Sequence, residues 1–517
     1  MLNHRAMPVL AFILFHLGGP PAPAAEEFDL VITGGRVVDG TGKDPYAADV
    51  GIRDGKIVFM GALPADATAR KTLDAKGRMV APGFIDLHTH ADEALIGNPA
   101  LNFVRQGVTT VVTGNCGDAP SDVAGFFYSI DASGTGPNVV HLLGHNSIRK
   151  QVFGEVDRAP TRDELEKMKG ILEKGMQDGA WGMSTGLWYI PGSFAKTDEV
   201  IELAKIVAKY GGIYASHMRD ETDKVMDAVK ETIEIGRKAR LPVHISHIKA
   251  ASPAMWGRAA EIAKLVENAR KQQQKVTADQ YPYEAWSTSL EATVIPAWAR
   301  EGSDADLVKR FDDSKTGPRL RAEIGKTLKD LGGPQAIYIT GGNYAGKNLQ
   351  EIGEAEKKDG VAVVEQIQRG GGAQVVAHVM NEADVRKFMT YDWVATATDS
   401  GVREFGSGVP HPRGYGTFPR KIGLYARDEK VITFPFAVRS CSGLPADILG
   451  LKDRGYVRKT HWADLVVFDP EKIIDRATFE KPHQWSEGIE AVLVNGEFVV
   501  EGGQPTKAKP GKVLRRP

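Results

Sequence analysis

The sequence predicts an α/β fold: a (β/α)8 barrel of the TIM type, carrying a small β-domain formed from both chain ends. Two observations predict it. The middle of the chain alternates short apolar runs with amphipathic stretches about 30 residues apart, the period of a strand–helix unit with parallel strands. The two ends read differently, as short β runs broken by Gly-Gly, Asp-Gly and Asn-Gly dipeptides, the punctuation of hairpins.

Taken in order, residues 1–24 carry Arg5, an apolar run from Met7 to Leu17 and then Ala22-Pro23-Ala24, a small-residue cleavage pattern. This is the layout of a secretory signal peptide, and the run is short for a membrane span. No cysteine stands at the cleavage site, so no lipid anchor is expected. Export to the periplasm or beyond the cell follows as an expectation, with no membrane attachment once the signal is removed. Residues 27–80 ("FDLVITGGRVVDGTG", "ADVGIRDGKIVFMG") and 425–517 ("WADLVVFDPE", "IEAVLVNGEFVVEGG") supply the small β-domain. Residues 81–424 supply the barrel.

Eight candidate barrel strands lie near 83–87, 108–113, 138–143, 180–184, 212–216, 243–247, 275–279 and 393–398. The intervening helices carry their own signals. Thr161 and Glu164 form a capping box before an amphipathic run. "TDEVIELAKIVAKYGG" opens with acids and closes with glycines, matching the helix dipole and a glycine stop. A third helix halts before Leu241-Pro242. Residues 285–372 interrupt the alternation and read as an insertion.

The bulk composition is that of an ordinary globular enzyme-sized chain: 517 residues, 42% hydrophobic, 25% charged, formal net charge −1. No basic run offers a nucleic-acid footprint. The oligomeric state is not written in the sequence.

In a (β/α)8 barrel, chemistry sits at the C-terminal ends of the strands. Those ends carry His88 and His90 ("DLHTHAD"), Cys116 ("GNCG"), His217 ("ASHMRDE"), His247 ("HISHIKA") and Asp399 ("TATDSG"). His88 and His90 are two apart, so on a strand their imidazoles face the same way. Imidazole and thiolate are the donors zinc prefers. Cys116 is one of two cysteines, and as a thiolate between two metal positions it could bridge them. Its other readings are an apolar plug, a nucleophile or a disulfide partner of Cys441, which is itself read as structural. Lys249 lies two residues beyond His247 and shares its face.

The motifs "APGFIDLHTHAD", "GNCG", "YASHMRDE", "HISHIKA", "DQYPY", "HPRGYGTFPR" and "ADLVVFDP" together resemble the N-acyl-D-amino-acid deacylase (D-aminoacylase) family of the amidohydrolase superfamily, over residues 27 to 505. The resemblance implies that Cys116, His217 and His247 hold a tight Zn2+. It implies a second, weaker position formed by His88 and His90 with Cys116 as bridge. Asp399 would be the general acid/base, taking a proton from the attacking water and passing it to the leaving amine. Tyr189, Lys249 and Arg413 would grip the substrate carboxylate, with Arg403 and Arg420 as nearby competitors of Arg413. The implied reaction is hydrolysis of N-acyl-D-amino acids to a carboxylate and a free D-amino acid, and the D preference rests on the resemblance alone. No extra basic cluster stands out near the proposed site, so neutral or hydrophobic side chains are expected, with "LWY" at 187–189 and Trp286 as candidate apolar lining. Rival readings are a hydrolase of dipeptides ending in a D-residue, a cyclic-amide hydrolase of the hydantoinase or dihydroorotase type, and a non-catalytic scaffold. His378, in "QVVAHVMNEADV", is read as a hydrogen-bonded strand histidine and not a ligand.

Overall fold

The computed structural model describes Met1 and residues 27–516. The signal-peptide reading of residues 1–24 lies outside the described residues apart from Met1. Among the described residues no helix is long and apolar enough to cross a membrane.

Eight parallel strands form the central sheet: β1 (Phe84–Asp86), β2 (Val108–Thr113), β3 (Asn138–Gly144), β4 (Gly182–Gly186), β5 (Ile213–His217), β6 (Val243–Ile245), β7 (Val276–Gln280) and β8 (Val394–Thr396). Each pairs with its neighbour in sequence. The ring closes just past the strand ends, where Thr89 bridges Ser400, the His90 amide donates to the Ser400 carbonyl at 3.0 Å and the Asp399 amide to the His88 carbonyl at 2.9 Å. All eight expected strands are present. β2 and β3 are buried at every position, because a barrel strand faces packed side chains inside and helices outside. The capping box at Thr161 and Glu164 starts the helix Arg162–Gln177, and the helix Val225–Ala239 ends on the left-handed residue Arg240 just before Leu241-Pro242.

Both ends of the described chain meet in a seven-stranded sheet, in which Leu465–Phe468 pairs antiparallel with Met79–Pro82 and with Ile489–Val494. A four-stranded sheet of Glu27–Thr33, Asp49–Arg53, Lys56–Gly61 and Thr68–Asp74 stands beside it, and the two share one apolar core. The expected range 425–517 for the C-terminal share needs correction. Phe434–Cys441 and Gly443–Leu449 are helices packed against β1 and β8, so they belong to the barrel wall. Thr433 caps the first of them, accepting from the Phe436 amide, and Pro435 sits in its first turn, a helix start and not a strand. The final residues also leave the β-domain: the Leu514 amide donates to the Val139 carbonyl at 2.8 Å, against the N-terminal half of β3.

Between β7 and β8 lies the insertion. It holds a three-stranded antiparallel sheet of Trp286–Ser289, Ile337–Ile339 and Gln374–Ala377, surrounded by short helices. Its first strand runs beside the mouth of the barrel, so the insertion supplies a wall to whatever the mouth binds.

Candidate active site

The six donor residues at the strand ends converge. His88 follows β1 and is fully buried, while His90 stands exposed at the mouth. Cys116 follows β2, His217 ends β5, His247 follows β6 and Asp399 follows β8. Three of the six adopt left-handed backbone: Cys116 at φ 54, His247 at φ 36 and Asp399 at φ 50. Each such non-glycine residue costs about 1 kcal/mol, and strain of this kind collects where side-chain aim matters more than local stability. The tight turn around Cys116 depends on its glycines. A Cβ on Gly114 would stand 1.9 Å from the Leu142 carbonyl oxygen, and one on Gly117 would stand 2.3 Å from Asn146 Oδ1.

The Cys116 sulfur lies 3.2 Å from His88 Nε2, 3.5 Å from His217 Nδ1 and 3.7 Å from His247 Nε2. His90 Nε2 lies 3.0 Å from Asp399 Oδ1 and His88 Nε2 3.5 Å from the same oxygen. Donor atoms within 4.8 Å of one another form three sets: His88, His90 and Cys116; Cys116, His217 and His247; and His88, His247 and Asp399. Cys116 therefore belongs to two sets and stands between them. Neither cysteine is in a disulfide; Cys441 is buried with its thiol 3.4 Å from Thr396 Oγ1.

The electrostatics suit a cation. Burial would raise the Cys116 thiol, but the surrounding histidines, His88 and His217 foremost, hold it well below its ordinary value, which favours the thiolate. Burial likewise opposes ionisation of Asp399, and Arg413 with the neighbouring histidines overrides it. His90 is only partly desolvated at the mouth, which disfavours its charge, yet Asp399 and Cys116 lift it to about 9. Two anions surrounded by imidazoles, with His88 Nε2, His217 Nδ1 and His247 Nε2 turned toward the Cys116 sulfur, form a donor set of the type zinc takes.

Behind these donors stand two acids that sequence reasoning missed. Asp279, on β7, accepts from the His247 amide at 2.7 Å and lies 2.8 Å from His244 Nε2 and 3.5 Å from His88 Nδ1. Glu221, four residues past His217, lies 2.9 Å from His247 Nδ1 and accepts from Lys249 Nζ at 2.7 Å. Burial opposes its charge, but Lys249, His247 and His217 hold the Glu221 carboxyl far below the usual range. The signals were present, in "RDE" after His217 and in the quoted "DQYPY", but neither pattern says which way an acid turns.

A cavity of about 540 Å3 opens over the cluster. Tyr189, Lys249 and Arg413 all line it, as does Arg403. Arg413 donates to Asp399 Oδ2 at 2.7 Å and to the Ser287 carbonyl at 3.2 Å. Tyr189 meets Thr288 Oγ1 at 3.1 Å. Arg420 is elsewhere, on Asp475 and the Pro282 carbonyl. His378 stands apart from the cluster, its ring against Phe479 and Tyr338.

The amidohydrolase family pattern matches residues 71–500. The chain belongs to the amidohydrolase family. Among its members, this amidohydrolase is 34% identical over 516 residues to the D-aminoacylase of Alcaligenes xylosoxydans xylosoxydans, covering 95% of this chain and 98% of that one. It is 35% identical to the N-acyl-D-glutamate deacylase of the same organism, covering 95% and 97% of the two chains. The crystal structure of N-acyl-D-glutamate deacylase from Bordetella bronchiseptica, complexed with zinc and a phosphonate inhibitor that mimics the tetrahedral intermediate, superimposes with a TM-score of 0.82 at 33% identity, covering 95% of this chain and 100% of that one. These likenesses set the amidohydrolase in the N-acyl-D-amino-acid deacylase branch of its family.

Proposed function

We propose that this amidohydrolase cleaves the amide bond of N-acyl-D-amino acids, using zinc and releasing a carboxylate and a free D-amino acid. The observation that carries the reading is the donor cluster centred on Cys116 with Asp399 beside it, at the C-terminal mouth of a barrel and under a substrate-sized cavity. Cys116, His217 and His247 would hold the tighter zinc, and His88 and His90 would join Cys116 at a second, weaker position. Bound there, zinc supplies Lewis acidity, making water a competent nucleophile near neutral pH and polarising the amide carbonyl.

The remaining work falls to the chain's own groups. Asp399 is ionised and can accept the attacking water's proton, then return it to the leaving nitrogen. Arg413, 2.7 Å from Asp399 Oδ2, keeps that carboxylate charged and aims its other oxygen, Oδ1, at the donor cluster. Burial and the Cys116 charge push the Tyr189 phenol well above its ordinary value, so it remains a hydrogen-bond donor to substrate oxygen. Lys249 is tied to Glu221 and stiffens the floor under His247. Trp188 and Trp286, with ring centres 6.1 Å apart, give one wall an apolar face, which suits neutral or hydrophobic side chains. Read with residues 1–24 as an export signal, the reaction takes place in the periplasm or outside the cell.

The test is hydrolysis of paired N-acetyl-D- and N-acetyl-L-amino acids (Met, Leu, Phe, Glu, Asp) by the zinc-loaded chain, with metal counted per chain. Release from D substrates alone, fastest for Met, Leu or Phe, supports the reading. Tightly bound zinc with no release from any of them would overturn the substrate assignment.

A further inference from the structure

The turn that carries Cys116 and the turn that carries Tyr189 meet backbone to backbone. A Cβ on Gly186, the last residue of β4, would stand 2.0 Å from the Cys116 carbonyl oxygen, and one on Gly117 would stand 2.6 Å from the Gly186 amide nitrogen. A buried side chain is wedged against this junction. Asn146, 6% exposed, comes from the first turn of the helix His145–Phe153. Its Nδ2 donates to the Gly186 carbonyl at 3.1 Å and to the Tyr189 carbonyl at 3.5 Å, while its Oδ1 accepts from the Gly186 amide at 3.3 Å. The carboxamide therefore spans both ends of the Tyr189 turn and is spent on backbone. Behind it stands a buried charge network. His145 Nδ1 lies 3.3 Å from Asn146 Oδ1, His145 Nε2 lies 2.9 Å from Glu199 Oε1, and Arg149 donates to both oxygens of Glu199 at 2.7 and 2.6 Å.

We propose that Asn146 is a positioning residue that sets where the Tyr189 phenol stands over the donor cluster. The inference rests on the N-acyl-D-amino-acid reading, in which Tyr189 donates to substrate oxygen. Residues 187–191 form neither strand nor helix, so the shape of the turn rests on a few bonds. The Tyr189 amide donates to the Gly186 carbonyl at 3.0 Å, the Leu187 amide to the His217 carbonyl at 3.0 Å and the Ser193 amide to the Tyr189 carbonyl at 2.8 Å. Asn146 ties the two carbonyls of that set that belong to the turn itself. Further out, the Tyr189 ring packs on His217 with ring centres 4.7 Å apart, and its hydroxyl meets Thr288 of the insertion at 3.1 Å. A swing of the turn about Gly186 is carried along the side chain to the hydroxyl, and a misplacement of about 1 Å at a reacting group can cost about 100-fold in rate. Because Asn146 also lies against Gly117, it fixes the spacing between the phenol and the Cys116 turn as well.

The experiment is a double-mutant cycle of Asn146→Ala, Tyr189→Phe and the double variant, on the zinc-loaded chain with N-acetyl-D-methionine and zinc counted per chain. Asn146→Ala should keep its zinc and lower kcat/KM by about 10- to 100-fold. In the Tyr189→Phe background the same change should cost less than about threefold, because the hydroxyl it positions is gone. Hydrogen exchange gives a readout that needs no substrate: Asn146→Ala should speed exchange at the Tyr189 and Ser193 amides and leave β2 and β3 unchanged. Should Asn146→Ala fail to fold, Asn146→Asp is read in the same cycle, since it keeps an oxygen facing the Gly186 amide and loses only the two N–H donors. Equal losses in both backgrounds would overturn the proposal in favour of a general structural role. Loss of zinc from Asn146→Ala would place its effect at the Cys116 turn and overturn it likewise, as would unchanged exchange with unchanged kcat/KM. If the parent chain cleaves no N-acyl-D-amino acid, the substrate reading falls, and the exchange result still decides whether Asn146 holds the Tyr189 turn.

Discussion

Changing Glu221 to glutamine should weaken both the fold and the metal centre, for reasons that can be sized. Glu221 is buried, and its Oε1 lies 2.7 Å from Lys249 Nζ and 2.9 Å from His247 Nδ1, while its Oε2 lies 3.8 Å from His217 Nε2. At an effective dielectric of about 20, unit charges at that Lys249 distance attract by about 6 kcal/mol. Part of this only offsets the desolvation of two buried charges, so breaking the pair should cost about 3–5 kcal/mol, most of it from stranding Lys249. The assay is a double-mutant cycle of Glu221→Gln, Lys249→Met and the double variant, by denaturant unfolding of the zinc-free protein. Each single variant should lose stability, and the double variant should lose about 2 kcal/mol or more less than their sum. In parallel, Glu221→Gln should bind zinc about 10- to 100-fold more weakly in competition with a chelator, because His247 loses the carboxylate that fixes its ring. Additive stability losses with unchanged zinc affinity would refute this account of Glu221.

Three further outcomes follow from the same geometry. Asp399→Asn should retain its zinc by metal analysis and lose about 10²- to 10⁴-fold in kcat, the usual worth of a positioned proton-transfer group. Cys116→Ala, which removes the thiolate shared by the His88–His90 and His217–His247 sets, should lose most of its zinc on dialysis conditions that leave the parent chain loaded. Lys421 is buried and burial lowers its pKa from 10.5 to about 8. The unfolded chain therefore binds more protons than the folded one between those values, so this group's penalty is complete below about 8 and fades as pH rises towards 10.5. Lys421→Met should accordingly be more stable than the parent by about 3 kcal/mol at pH 7, an advantage that shrinks above pH 8 in denaturant melts.

The barrel was legible because its strands are short apolar runs that alternate, over most of the chain, with amphipathic helices about 30 residues apart, and parallel closure then forces every strand end to one face. That is why His88, His90, Cys116, His217, His247 and Asp399, scattered over 312 positions of sequence, could be grouped before any coordinates. What lies behind them was not legible. Glu221 sits in "RDETDK", which reads as a solvated acidic loop, and only the fold turns its carboxylate inward beneath His247. Lys249 does reach His247, its Nζ 2.7 Å from His247 Nδ1, but both residues lie past the end of β6 and His247 is left-handed, so strand alternation does not account for it, and four methylenes let the ammonium reach Glu221 as well. The segment 434–449 falls inside the range 425–517 expected for the β-domain, although Thr433 and Pro435 carry a helix start. Arg403 and Arg413 share a loop without periodicity, so sequence could name both and could not tell which pairs with Asp399.

The central claim is that zinc at the Cys116 cluster and Asp399 together hydrolyse an N-acyl-D-amino acid. The most direct measurement is the rate of N-acetyl-D-methionine hydrolysis by the metal-stripped chain as zinc is added back, with N-acetyl-L-methionine alongside. The account predicts no release from the stripped chain, D-specific activity rising in proportion to zinc, and a break near one equivalent as the tighter position fills. Full activity without zinc, or activity indifferent to the enantiomer, would contradict it.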